Sequence, residues 1–138
     1  MNLLKEKPGL FRSLDRVGFA VDINEDSSAV VGAFEGKVSV DDILCFWDEL
    51  IKSDSLPFGM KGIVLDFSDA VLDFKASSYK RIVDYFIENI SFVGKFKIGV
   101  VANNPHNIVV VMLIARENFM YELRPFTTIK ASLIWAKS

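Results

Sequence analysis

The sequence predicts an α/β fold: a single domain on a mixed sheet of about five strands, with helices packed largely on one face, in the order β β α β α β α β α. Three observations carry this expectation. Two β-rich stretches, "RVGFAVDINED" and "SSAVVGAFEGKV", follow one another near the start. Short apolar runs then alternate with longer stretches in which apolar residues recur at helical spacing, which is the signature of strands joined by crossover helices. Finally, Pro, Gly, Asn and Ser fall between these segments, where element ends belong. A 138-residue chain is about one domain long, and 51% hydrophobic residues with 12 phenylalanines supply ample core.

The elements follow in order. The first two stretches form a hairpin across an acidic and serine turn at Asn24 to Ser28. Ser39 starts "SVDDILCFWDELIKSD", with a hydroxyl able to accept from orphan amides and two acids in the first turn. Its Val40, Ile43, Leu44, Trp47, Leu50 and Ile51 lie on one helical face. After the breaker "LPFGM", "KGIVLDFSDA" reads as a strand over Lys61 to Phe67, apolar enough to be covered on both faces as interior parallel strands are. "ASSYKRIVDYFIENI" is a second amphipathic helix, with Tyr79, Ile82, Val83, Phe86, Ile87 and Ile90 facing inward. "KFKIGVVAN" is the next strand, over Lys95 to Ala102, and strand–helix–strand units of this length favour right-handed parallel crossovers.

"NNPHNIVVVMLIARENF" predicts the third helix, running to Phe119. Asn103 or Asn104 caps it, and Pro105 occupies the first helical position, where its missing amide costs nothing. The competing reading is a buried strand, because Val109, Val110, Val111 and Ile114 favour extended backbone. As a helix the segment is apolar nearly all round from Ile108 to Ala115, which predicts that more than one of its faces is covered, and a homodimer through this helix would cover the second. "YELRPF" is a last short strand that Pro125 places at an edge, and "TTIKASLIWAKS" closes the chain as a threonine-capped helix with Ile129, Leu133 and Trp135 packing back.

Composition excludes several classes. Sixteen Lys and Arg against 18 Asp and Glu give a net charge of −2, so the basic field of a nonspecific nucleic-acid binder is missing. The single Cys45 allows no internal disulfide and no zinc spacing, which fits a reducing, cytoplasmic setting. Residues 1–16, broken by Pro8 and Gly9, read as a leader without a secretory apolar stretch, followed by a domain over 17–138. The longest apolar run, Ile108 to Ala115, is far short of the roughly 20 residues of a membrane-spanning helix. No cofactor or metal motif is present: Asp22, Glu25 and Asp26 lack the glycine and terminal glutamate of a calcium loop.

The element order, together with "VLDFSDA", "VVANNP" and the closing "RPFTTIKASLIWAKS", resembles the STAS-like, SpoIIAA-like domains over about residues 17 to 137. The resemblance implies a mixed sheet with helices largely on one side and a noncatalytic regulatory or ligand-binding module, the anti-sigma-factor antagonists being its best understood relatives. Those antagonists carry an aspartate-serine-serine/threonine-glycine turn before the second helix, whose phosphorylation adds about two negative charges. This chain departs from that pattern in "VLDFKASSYKRI". With Asp73 as the aspartate, Phe74, Lys75 and Ala76 leave no hydroxyl. With a loop three residues longer, Ser77 and Ser78 stand in place, but Tyr79 replaces the glycine. The expectation is that the phosphoswitch is absent and that Ser77 and Ser78 cap the helix.

The best candidate site is the carboxyl edge of the two central strands, where α/β proteins commonly bind ligands. It would gather Asp66, Ser68 and Asp69 with Asn103, Asn104 and His106, the chain's one histidine. Asn104 and Pro105 are expected to start the helix, with His106 at the surface in its first turn, available to a ligand but without the paired carboxylate or nucleophile that catalysis requires. Cys45 has no activating base nearby in sequence and reads as a small packed hydrophobe. Two function classes therefore stand ahead of an enzyme: a module that binds a protein partner, and a module that binds a small apolar ligand or lipid.

Overall fold

The structure, a computed structural model, describes residues 19–23, 28–53, 56, 59–117 and 120–138. The expected leader and the turn holding Glu25 and Asp26 lie outside the described residues, and of Asp22 only the backbone is described.

Strand β1 (Phe19–Ile23) pairs antiparallel with β2 (Ala29–Val38), Phe19 opposite Phe34. Helix α1 (Val40–Lys52) starts at a reciprocal cap: Ser39 Oγ accepts from the Asp42 amide at 3.0 Å, and the Asp42 carboxylate accepts from the Ser39 amide at 2.9 Å. It returns the chain to β3 (Gly62–Leu72), which lies parallel to β2. β4 (Lys97–Val101) and β5 (Glu122–Phe126) extend the parallel set, and the strands lie in the order β1-β2-β3-β4-β5. Between β3 and β4 a 3-10 turn (Ala76–Ser78) runs into α2 (Tyr79–Glu88), followed after Asn89 by the short α3 (Ile90–Val93). α4 (Pro105–Arg116) joins β4 to β5, and α5 (Ile129–Ala136) ends the chain. The segment after Pro105 is thus a helix, which removes the strand alternative, and it stops at Arg116, short of Phe119.

One face of the sheet carries α1, α2 and α4 over a continuous core. Ile63, Leu65 and Phe67 of β3, Ile98 and Val100 of β4 and Leu123 of β5 point into it. Trp47 is fully buried there, edge-on to Phe46 at 5.6 Å and to Phe86 at 5.1 Å between ring centroids. Between β3, α2 and α4 the described core holds a void of about 20 Å³.

Among the described residues the other face carries only α5, over Val64 and Val101. Leu133 and Trp135 pack against this face as helical spacing suggests, both half-buried, but Ile129 is exposed and the completely buried residues are Ser132 and Ala136. The reason is close approach: a Cβ at Gly62 would overlap Ala136, and one at Gly99 would overlap Ser132 Oγ, so the helix rests almost directly on strand backbone. Trp135 sits at the rim, its ring 5.6 Å from that of Phe126, with Arg124 and Lys97 over it at 5.1 and 5.5 Å. Thr128 caps α5, its hydroxyl accepting from the Ala131 amide at 3.2 Å.

Among the described residues one face of α4 is covered: Asn107, Val110, Val111 and Ile114 are buried, whereas Val109 and Met112 are 47% and 52% exposed, so what covers a second face lies outside these residues. One further expectation needs correction. Ser77 and Ser78 do not cap α2, since neither side chain bonds an orphan amide and Ser78 already has helical backbone (φ −72°, ψ −6°), whereas a capping residue needs extended angles to aim its hydroxyl back. No described helix is long and apolar enough to cross a membrane.

Candidate functional site

The carboxyl edge of the sheet is built around a mismatch of lengths. β4 stops at Val101, paired with Asp66, while β3 continues to Leu72 beside β2. A bulge begins the extension. Ala33 faces Asp66 and Glu35 faces Asp69, so Phe67 and Ser68 together oppose Phe34. Asp66 holds this bulge closed: one carboxylate oxygen accepts from the Ser68 amide at 3.0 Å and from its hydroxyl at 2.6 Å. The extra residue also puts both Phe67 and Ala70 on the core side, with Asp69 and Val71 on the exposed one.

Beyond the bulge no described strand lies on the β4 side of β3, and buried amides and carbonyls there need other partners. Side chains from the start of α4 supply them. Asn107, completely buried, accepts from the Leu72 amide through Oδ1 at 3.0 Å and donates through Nδ2 to the Ala70 carbonyl at 3.0 Å. Its carboxamide thus imitates one residue of a neighbouring strand. Asn104 caps α4, accepting from the Asn107 amide at 2.9 Å, and donates to the Ala70 carbonyl at 3.5 Å. One step further, His106 donates through Nε2 to the Phe74 carbonyl at 2.9 Å. A carbonyl only accepts, so that nitrogen carries a proton. The His106 and Phe74 rings lie edge to face at 6.5 Å.

The candidate residues therefore do not form one polar centre. Asn104 and His106 meet the β3 exit as expected for the strand ends, but each is spent on backbone. Asp66 and Ser68 bond each other, Asp69 is exposed in register with Glu35, and Asn103 is exposed without a hydrogen bond to the rest. His106 is at the surface and faces a carbonyl rather than a carboxylate or nucleophile. Among the described residues no three of His, Cys, Asp and Glu gather as metal ligands. Cys45 is half-buried against the core.

Asn107 is the residue that reading the sequence passed over. A signal existed: positions 107, 110, 111 and 114 share one helical face, the other three are apolar, and a polar group on a buried stripe must be bonded.

At its far end α4 is held by Tyr121, whose hydroxyl donates to the Ile114 carbonyl at 2.8 Å. Burial, then the negative charge of Glu117 and the neighbouring Tyr79, push this phenol up to about 12. Tyr85, which donates to Asp48 at 2.5 Å, is raised further by burial and by that carboxylate.

No family model and no curated protein matches the chain. Among solved structures, it is similar to an uncharacterized protein from the DUF3478 family, with a SpoIIAA-like fold, from Shewanella loihica PV-4. The match covers 91% of this chain and 99% of that one at 14% identity, with a TM-score of 0.55. The strand order, the three helices on one face and this likeness lead to the same conclusion: the chain has a SpoIIAA-like fold.

Proposed function

We propose that this chain is a noncatalytic regulatory module that works by binding another protein, with α4 as its contact surface and without the phosphorylatable serine of the antagonists. The observation that carries the reading is the exposure of Val109 and Met112 one turn apart on α4, beside the His106–Phe74 contact. Apolar side chains left in water on a helix whose opposite side is firmly seated are what a protein partner covers. Asp66, Asn104, His106 and Asn107 at the strand edge support the same reading, since they are engaged in holding backbone. In this reading the domain works in a reducing compartment such as the cytoplasm, consistent with its lone cysteine, and uses no cofactor.

A lipid or apolar ligand inside the domain is disfavoured by volume, because the core void of about 20 Å³ compares with roughly 300–1,000 Å³ for ligand pockets. Self-association through α4 uses the same residues and is separated from a different partner by mass in solution.

The test is co-purification from the native cell with the chain and with a Val109→Asp/Met112→Asp variant, whose sites are exposed and leave the fold intact. The expected result is a defined protein retained by the first and lost by the second, with the free domain monomeric by sedimentation. A partner retained equally by both forms would remove α4 from the account, and a domain that sediments as a dimer only without the substitutions would assign the surface to a second copy.

A further inference from the structure

At the opposite end of the sheet, where β3, β4 and β5 begin, an open groove of about 630 Å³ lies between the α3–β4 turn and the start of β5. This is within the size range of small-molecule sites. Three lysines line it in a chain whose net charge is −2: Lys61 before β3, Lys95 in the turn, and Lys97 at the start of β4. The Lys97 amide donates to the Lys61 carbonyl at 3.1 Å, so the two segments that carry these lysines are tied side by side.

The three are not equivalent. Lys97 is already engaged, its ammonium 2.7 Å from Ser138 Oγ and over the Trp135 ring, and Glu122 is its register partner on β5. Lys61 and Lys95 are exposed and pair with no acid among the described residues. Half-buried Phe96 and exposed Met120 line the same groove and add apolar surface. Two unpaired ammonium groups on a concave wall concentrate positive potential more than the same charges on a convex surface. The adjoining ring and thioether suit an apolar body.

We propose that this groove binds a small organic anion, with its acid group at Lys61 and Lys95 and its apolar body against Phe96 and Met120. The ligand class is a carboxylate or phosphate monoester carried on a ring or short chain. The proposal is independent of the α4 reading, since the groove is at the other end of the strands from the α4 N-terminus.

Phenyl phosphate and benzoate, titrated separately into the full chain and followed by amide chemical shifts, test it, with inorganic phosphate as the reference. The expected result is saturable shifts centred on Lys61, Lys95 to Lys97 and Met120 to Glu122 with at least one aromatic anion, bound at least tenfold more tightly than inorganic phosphate. Lys61→Gln/Lys95→Gln should weaken that binding tenfold or more while leaving the spectrum folded. Phenyl phosphate as the tighter ligand assigns a phosphate monoester, and benzoate a carboxylate. Shifts that do not saturate, that scatter over lysines outside the groove, or that persist unchanged in the double variant would overturn the proposal.

Discussion

The two halves of β3 are held in different ways. From Gly62 to Asp66 the strand lies between β2 and β4, and both of its faces are covered, by the large core on one side and by α5 on the other. From Ser68 to Leu72 it keeps β2 but loses β4, and the missing partner is a pair of asparagines from the start of α4. The first half is secured by area and by a regular ladder. The second depends on single side chains, and those are the residues that looked like a site.

That difference can be broken at either end. The largest effect is expected in the first half: Leu65→Ala removes a side chain that is 2% exposed and should cost about 2–5 kcal/mol in urea unfolding, through lost transfer energy and the cavity left behind. In the second half, Asn107→Ala should cost about 2–3 kcal/mol by the same measurement, although it deletes little apolar area. It strands the Leu72 amide and weakens the hold on the Ala70 carbonyl, both away from water. A loss under about 0.5 kcal/mol would mean that water or backbone movement replaces the carboxamide.

Gly99→Ala probes how α5 covers the first half. Its methyl would meet Ser132 Oγ, and overpacking of this kind costs about 1–3 kcal/mol. The expected signature is faster hydrogen exchange confined to α5 and its contacts on β3 and β4, with α1 and α2 unchanged. Exchange that rises equally throughout would show that the two faces of the sheet do not yield separately.

Tyr121→Phe loosens the far end of α4 and should cost about 1 kcal/mol at neutral pH through the lost bond to Ile114. It should also change the alkaline limb. The folded phenol holds its proton up to about 12 against an ordinary 10.0, so the unfolded chain releases it first. The resulting stability is complete below about pH 10 and is lost as pH rises towards about 12. Stability of the native chain should therefore fall across that window, and less steeply in Tyr121→Phe, with Tyr85 supplying the remaining slope.

The smallest effects belong to residues that sequence reading singled out. Ser77→Ala/Ser78→Ala should stay within about 0.5 kcal/mol, because neither hydroxyl caps the helix.

Much of the first half was legible. An apolar run between breakers announced a covered strand, and Ser39, Asn104 with Pro105, and Thr128 marked helix starts by chemistry that acts within three residues. What stayed hidden depends on distant partners. The strand continues past Phe67 because an asparagine 35 residues away completes its bonding, and nothing in "SDAVL" itself carries that information. The seat of α5 was half hidden for a related reason: hydrophobic periodicity found Leu133 and Trp135 but also weighted the exposed Ile129, whereas contact with backbone at Gly62 and Gly99 selects Ser132 and Ala136 for being small. The candidate site was legible as a place and illegible as a role, since Asp66, Asn104 and His106 are the same residue types whether they hold a ligand or a main chain.

The claim that the strand edge is a backbone clamp is tested most directly by native-state hydrogen exchange at the Leu72 amide in the native chain and in Asn107→Ala. The account predicts strong protection in the first and its loss in the second by about two orders of magnitude or more, on the scale of an opening that costs about 3 kcal/mol less. Amides of Val64 and Leu65 should exchange faster in the variant only by the drop in global stability, whereas Leu72, freed to open locally, should lose more protection than they do. Leu72 protection that falls no further than that of Val64 and Leu65 would contradict the clamp and return Asn104, His106 and Asn107 to the list of residues free to serve a ligand.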